Sequence, residues 1–261
     1  MAEVAGLYYE LAGKSDGPPL ILSSGLGGSA NYWAPNLVAL GERHRLILYD
    51  HRGTGRSSRR LPGPVTVAAF ADDILELMDG IGVERASLIG HAAGGVAGLA
   101  LALKAPERLD RLIVVNGWAA PDPHFARCFD TRLALLRDSG VRAYLHAQPI
   151  FLYPAEWISE HSAHLDAEED VQFGHFPAAA TMESRIAALR AFDISMALGE
   201  ITTPTLALAA ADDMLVPARC SDALAAGLPN GTVTRMGWGG HACNVTDPVT
   251  FNRTVLDFLG G

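Results

Sequence analysis

The stretch "LIGHAAGG", Leu88–Gly95, decides the reading of the fold. Its first residues close the apolar run "RASLIGH" (Arg85–His91). Ala92–Lys104 follows, rich in Ala, Leu and Gly, and stops before Pro106. A buried strand, a tight turn and a buried helix are expected in immediate succession. The frame Gly90-His91-Ala92-Ala93-Gly94 has the outline Gly-x-Ser-x-Gly of a nucleophile elbow, which requires that strand–turn–helix context. Its glycines permit close approach of helix and strand. At the central position stands Ala92, whose methyl group attacks nothing.

Outward from the elbow the same rhythm repeats. "PPLILSSG" (Pro18–Gly25), "HRLILYD" (His44–Asp50), "LDRLIVVNG" (Leu109–Gly117) and "PTLALAAADD" (Pro204–Asp213) read as buried strands, with "TVTRMGWGGH" (Thr232–His241) a weaker one. In Thr66–Gly82, Phe70, Ile74, Leu77, Met78 and Ile81 recur at helical spacing behind an N-cap at Thr66. Asp247–Phe258 is a closing helix with Pro248 in its first turn. Strands alternating with helices predict an α/β fold with a mostly parallel central sheet flanked by helices.

From about Ala119 to about Leu198 no strand pattern occurs, only helical runs such as Phe125–Leu136 and scattered aromatics. The expected organisation is a core of residues 1–118 and 199–261 with a helical cap inserted at 119–198. Open α/β sheets bind ligands at the carboxyl ends of their strands, where such a cap could act as a lid. A separate small domain without function is the alternative.

The 261 residues are 49% hydrophobic and 19% charged, enough for a sizeable core. A net charge of -9 argues against a nucleic-acid partner and against an anionic membrane surface. The N-terminal "MAEVAGLYYE" lacks the pattern of a signal peptide, and no apolar run approaches the roughly 20 residues of a membrane span. Cys128, Cys220 and Cys243 are few and widely spaced, as expected of free thiols in a cytoplasmic protein. His161 and His164 form H-x-x-H without the glutamate or third ligand of a zinc site, and "GLGGSA" is neither a dinucleotide fingerprint nor a P-loop. No metal and no cofactor are expected. A small molecule is the expected partner, and a homodimer is expected only on general frequency.

Two later segments complete a set in the order nucleophile, acid, base. Asp213 follows one strand, and His241 lies in a glycine-rich loop after the next. An acid behind a histidine fixes its tautomer and stabilises the imidazolium. Asp212 competes for that role, and the distance to Pro217 favours Asp213. The main-chain amides of Leu26 and Ala93 are candidate oxyanion donors.

The chain resembles the α/β-hydrolase superfamily over nearly its whole length. More narrowly, it is similar to the aminoacrylate/carbamate hydrolases of the bacterial Rut pathway of pyrimidine degradation. The matching residues are "SGLGGS" (Ser24–Ser29), "YDHRGTG" (Tyr49–Gly55), "GHAAGG" (Gly90–Gly95), "VNGW" (Val115–Trp118), "RCF" (Arg127–Phe129), "AQPIFLYPAEW" (Ala147–Trp157) and "GGHACNVTDPVTFN" (Gly239–Asn252). The first motifs are generic, and the cap and final segments are specific. The family is similar in having alanine at the elbow, which speaks against a knock-out at Ala92. The resemblance also implies a small substrate late in uracil breakdown: aminoacrylate giving malonic semialdehyde and ammonia, or carbamate giving ammonia and carbon dioxide. Lipase-like relatives open the oxyanion loop with His-Gly, whereas this chain has Ser24-Gly25.

Chemistry without a nucleophile is then expected: His241, oriented by Asp213, activates a water beside Ala92. An anionic substrate wants a cation or an amide donor. Arg127 and Arg132 in the cap are candidates, or else solvated helix charges. Ser24 and Asn244 are further candidates, and Trp118, Tyr153 and Trp157 line the cavity or form cap core. Two rival readings stay open. One is a conventional serine esterase or amidase carrying a Ser-to-Ala change at Ala92, and the other a non-catalytic small-molecule-binding protein.

Overall fold

Eight strands form one sheet in the computed structural model, which describes residues 2–260. They are β1 (Ala2–Val4), β2 (Leu7–Gly13), β3 (Pro19–Ser23), β4 (Arg45–Tyr49), β5 (Ala86–His91), β6 (Leu109–Val115), β7 (Thr205–Ala210) and β8 (Gly231–Met236). The spatial order is β1-β2-β4-β3-β5-β6-β7-β8. β3 to β8 run parallel, and β1 and β2 pair antiparallel at one edge. The chain therefore has the expected α/β architecture. Positions 1 and 261, the ends of the expected core ranges, lie outside the described residues.

Alternation along the central strands explains the two faces. Ile21, Ile47, Leu88, Leu112 and Val114 pack into one buried cluster; Leu20, Leu22, Leu46, Ile89, Ile113 and Val115 pack into the other. On the first face lie α2 (Val67–Gly80) and α3 (Ala93–Lys104). On the second lie α1 (Leu37–Gly41) and α11 (Pro248–Gly260), through Leu40, Phe251 and Val255. Thr66 caps α2, its Oγ1 accepting from the Ala69 amide at 3.0 Å.

The edge hairpin of β1 and β2 was not among the expected strands. Its two-residue turn is Ala5-Gly6, both at positive φ, 50° and 78°. Such a turn suits a hairpin, but its usual sequence mark is Asn-Gly or Asp-Gly, so Ala-Gly gave no signal.

Five α-helices and no strand lie between β6 and β7: α4 (Pro123–Ala134), α5 (Gly140–Leu152), α6 (Ala155–Glu160), α7 (Ser162–His175) and α8 (Ala179–Ala191). Phe125, Phe129, Tyr144, Ile186 and Leu189 from this insertion belong to the same buried cluster as the first sheet face, so the helices share the core. After β7 come α9 (Arg219–Gly227) and, past β8, α10 (Cys243–Thr246). Among the described residues no helix is long and apolar enough to cross a membrane, and no group of three or more His, Cys, Asp or Glu side chains gathers as a metal site would require.

Candidate active site

The turn after β5 holds Ala92 at φ 45°, ψ -103°, a conformation that L-residues avoid. Two main-chain bonds pin it: the Ala92 amide donates to Val115 O at 2.8 Å, and its carbonyl accepts from Val96 N at 2.9 Å. A Cβ on Gly90 would stand 2.3 Å from the Gly94 carbonyl carbon, and one on Gly94 would stand 2.2 Å from Ser23 O. The glycines are thus demanded by backbone contact between β5, α3 and β3. The geometry of an elbow is complete, and Ala92 is only 6% exposed.

Ala93 opens α3, so its amide has no intrahelical acceptor. The Leu26 amide, after β3, also has none among the described residues. The Leu26 carbonyl accepts from Arg185 Nε at 3.2 Å, which fixes this loop against α8. Ser24 is buried, and its Oγ has no partner among the described residues.

His241 Nδ1 lies 2.8 Å from Asp213 Oδ2, with both side chains almost wholly buried. Asp213 Oδ1 accepts from the Leu215 and Val216 amides at 2.7 and 2.9 Å. Asp213 is thus a fixed carboxylate acceptor behind the ring. Asp212 turns the other way and accepts from the Gly240 and Gly239 amides at 2.9 and 3.3 Å, shaping the glycine-rich loop.

His241 O takes two donors, His91 Nε2 at 2.8 Å and Asn116 Nδ2 at 2.7 Å. A carbonyl only accepts, so His91 carries its hydrogen on Nε2. Its buried Nδ1 has no partner among the described residues and faces Gly25, where a Cβ would stand 2.7 Å away. Burial, reinforced by nearby His241, pushes the His91 pKa well below the usual imidazole range. Asn116 sits at φ 50°, and its Oδ1 also accepts from Ala210 N at 3.0 Å. It therefore joins the ends of β6 and β7 to the histidine loop. Its signal was the Asn-Gly pair at a strand end, a turn mark that reveals nothing of these bonds.

Two expected substrate contacts are corrected. Asn244 is wholly buried; its Oδ1 accepts from Tyr32 Oη at 2.7 Å and its Nδ2 donates to Asn36 at 3.2 Å. It holds Tyr32, whose ring stacks on His91 at 4.8 Å, and both of its polar side-chain atoms are taken by protein partners. Arg127 lies on the exposed face of α4, opposite the buried Phe125, Cys128, Phe129 and Arg132, so its charge is solvated. Trp118 is buried with its ring 4.5 Å from Phe125 and its Nε1 unpartnered among the described residues. Tyr153 is half-buried 4.4 Å from Trp157, which stacks on His161 at 4.0 Å. His164 pairs with Glu168, so the H-x-x-H residues point to separate partners.

A buried network beneath the Leu26 loop was not legible in the sequence. Arg185 Nη2 donates to His51 Nδ1 at 2.9 Å, so His51 donates from Nε2 to Ser23 Oγ at 3.2 Å, and Ser23 meets Tyr49 Oη at 2.8 Å. Burial pushes the Arg185 pKa down to about 10 and holds His51 well below the imidazole range.

A model of the α/β-hydrolase fold family matches residues 18–152. "Putative carbamate hydrolase RutD" of Caulobacter sp. (strain K31) is 58% identical, across 99% of this chain and 97% of that protein. A protein of the same name in Variovorax paradoxus (strain S110) is 53% identical, across 97% and 96%. Among solved structures, an enol-lactonase from Burkholderia xenovorans LB400 superposes with a TM-score of 0.89 at 27% identity, covering 100% of this chain and 99% of that one. A hydrolase from Pseudomonas aeruginosa PA01 superposes with a TM-score of 0.88 at 30% identity, covering 98% and 94%. With its elbow, its acid and its histidine in hydrolase order, the chain belongs to the α/β-hydrolase fold family and, within it, to the RutD hydrolases.

Proposed function

We propose that this hydrolase acts on a small, labile C–N substrate, aminoacrylate or carbamate, in the Rut pathway of uracil breakdown, and that it does so without a covalent intermediate. The observation that carries the reading is the buried Asp213–His241 pair beside an elbow that presents a methyl group. The carbamate hydrolase name of the relatives supports the substrate class. With Nδ1 engaged by Asp213, His241 Nε2 takes a proton from a water as it adds to the carbon bearing nitrogen. On carbamate it returns that proton to nitrogen as the C–N bond breaks, leaving ammonia and bicarbonate. On aminoacrylate it passes the proton to the α-carbon as the C=C bond opens. The hydroxyl proton of the resulting carbinolamine then moves to nitrogen as the C–N bond breaks and the aldehyde C=O forms. The Leu26 and Ala93 amides stabilise the charge that develops, an effect often worth about 3–4 kcal/mol for one donor. General-base help contributes about 10²–10⁴-fold, which is modest for a stable amide and adequate for a substrate already prone to hydrolysis.

The test is ammonia release from freshly generated aminoacrylate and from carbamate. His241→Ala is expected to lower the enzymatic rate about 10²–10⁴-fold. Equal rates would remove His241 from the mechanism. The retained elbow backbone at Ala92 favours a second reading, an esterase or amidase scaffold whose serine has been replaced. Turnover of the labile substrates by the unmodified chain separates the two.

A further inference from the structure

Two arginines, Arg132 and Arg185, are buried to 3% and 0% exposure. Neither lies within ion-pair distance of a carboxylate among the described residues. Guanidinium stays charged, and an uncompensated buried charge costs several kcal/mol. Arg185 offsets this with neutral acceptors on all three nitrogens: Leu26 O, Arg52 O and His51 Nδ1. Arg132 does not. Its Nη2 donates to Tyr144 Oη at 2.7 Å and Gln148 Oε1 at 3.1 Å, while its buried Nε has no acceptor and Nη1 none among the described residues. The rings of Phe129, Tyr144 and Phe151 surround it at 5.4, 4.8 and 5.6 Å, a largely aromatic cradle in which Nε and Nη1 have only cation–π compensation.

The placement ties this cation to both catalytic loops. One helical turn earlier on α4, Cys128 Sγ lies 3.6 Å from Met214 O, next to Asp213. Beside Phe151, Leu152 O accepts from Ala242 N at 3.0 Å, next to His241.

We propose that Arg132 binds the carboxylate of the substrate through Nε and Nη1, and that the aromatic cradle restricts the site to small monoanions. This rests on the proposed reading for which carboxylate arrives, and not for the binding itself. A second carboxylate would lie against neutral rings without a partner, so dicarboxylates are disfavoured.

Sodium acrylate, acrylamide and malonate serve as stable probes in isothermal titration calorimetry. The wild type should bind acrylate at least tenfold more tightly than acrylamide or malonate. Arg132→Met should weaken acrylate at least tenfold and leave acrylamide unchanged, with Arg132→Lys between. Equal acrylate affinity in wild type and a folded Arg132→Met protein would overturn the proposal. Should Arg132→Met fail to fold, the wild type still decides it by ¹H–¹⁵N NMR. An arginine Nε–H signal absent from Arg132→Lys should shift on titration with acrylate, and no shift overturns it. Acrylate binding without ammonia release would remove the hydrolysis reading and leave the site standing. Ammonia release without Arg132-dependent binding would do the reverse.

Discussion

His91 donates from Nε2 to the main-chain oxygen of His241 at 2.8 Å. The residue next to Ala92 therefore holds the loop that carries His241. The two rings also meet edge-on at 4.6 Å, so the imidazole of His241 is bounded by Asp213 on one side and His91 on another. A buried donor–acceptor pair of this kind contributes about 0.5–1.5 kcal/mol net, and more is lost when one partner is stranded.

His91→Phe removes that donor and keeps a ring against Tyr32. Asn116 Nδ2 still reaches His241 O, so the loop should stay in place but loosen. The expected result is a loss of roughly tenfold in kcat with little change in KM, since the displaced group acts in the chemical step. His91→Gln, which can still donate, should recover part of it. Steady-state ammonia release would check both, and an unchanged kcat in His91→Phe would show that the contact is only packing.

The adjacent acids should separate cleanly. Asp213→Asn removes the carboxylate at His241 Nδ1 and can offer the ring a donor where it needs an acceptor. In a serine protease the corresponding change costs about 10⁴-fold in kcat; here, with less total catalysis to lose, about 10²-fold or more is expected. Asp212→Asn keeps an oxygen for the Gly239 and Gly240 amides and should cost less than tenfold. Equal losses in the two variants would mean that the loop's shape, and not the acid behind the ring, sets the rate.

How much of this was legible in the sequence depends on the range of the interactions involved. β3 to β7 announce themselves because each is apolar on both faces and ends in a turn residue. The strands and their order of motifs then place Ala92, Asp213 and His241 after the carboxyl ends of β5, β7 and β8. The hairpin of β1 and β2 is half-exposed and turns on Ala5-Gly6, so its pattern is faint. Arg185 and His51 are 134 residues apart in sequence, and no local pattern reports such a bond. Asn244 looked available because it neighbours His241, and only the structure shows Tyr32 and Asn36 occupying it.

The elbow retains its backbone conformation without the residue that ordinarily needs it. A non-glycine residue held in such a sparsely populated region costs of order 1–3 kcal/mol, yet Ala92 sits at φ 45° between two short main-chain bonds. Ala92→Ser adds one hydroxyl to that fixed position, near the Asp213–His241 pair. The variant should gain hydrolysis of an activated ester such as 4-nitrophenyl acetate, with a burst of about one equivalent from the acyl-enzyme. Stopped-flow absorbance would read it. A folded Ala92→Ser protein with neither burst nor esterase rate above wild type would place Nε2 of His241 out of reach of residue 92.

The buried histidines set the acid limit of stability. His51 and His91 are held far below the usual value of 6.5, in both cases mainly by burial, with the Arg185 charge adding to His51 and His241 adding to His91. Each is therefore neutral in the native state and protonates only on unfolding. For a group whose folded pKa is depressed, the unfolded chain binds more protons, so stability is full above about pH 6.5 and falls as pH drops below it. Each histidine removes about 1.4 kcal/mol per pH unit in that range, so the two together remove roughly 3 kcal/mol near pH 5.5. That corresponds to a fall of about 1 M in the urea midpoint between pH 7.5 and 5.5. His91→Gln should remove nearly half of the fall, because His51 still titrates, with a smaller part from His44, whose pKa burial also lowers. Urea unfolding followed by tryptophan fluorescence across that range checks it. A His91→Gln protein with the full wild-type pH dependence would mean that His91 keeps its proton in the native state, contrary to the single acceptor that faces its Nε2.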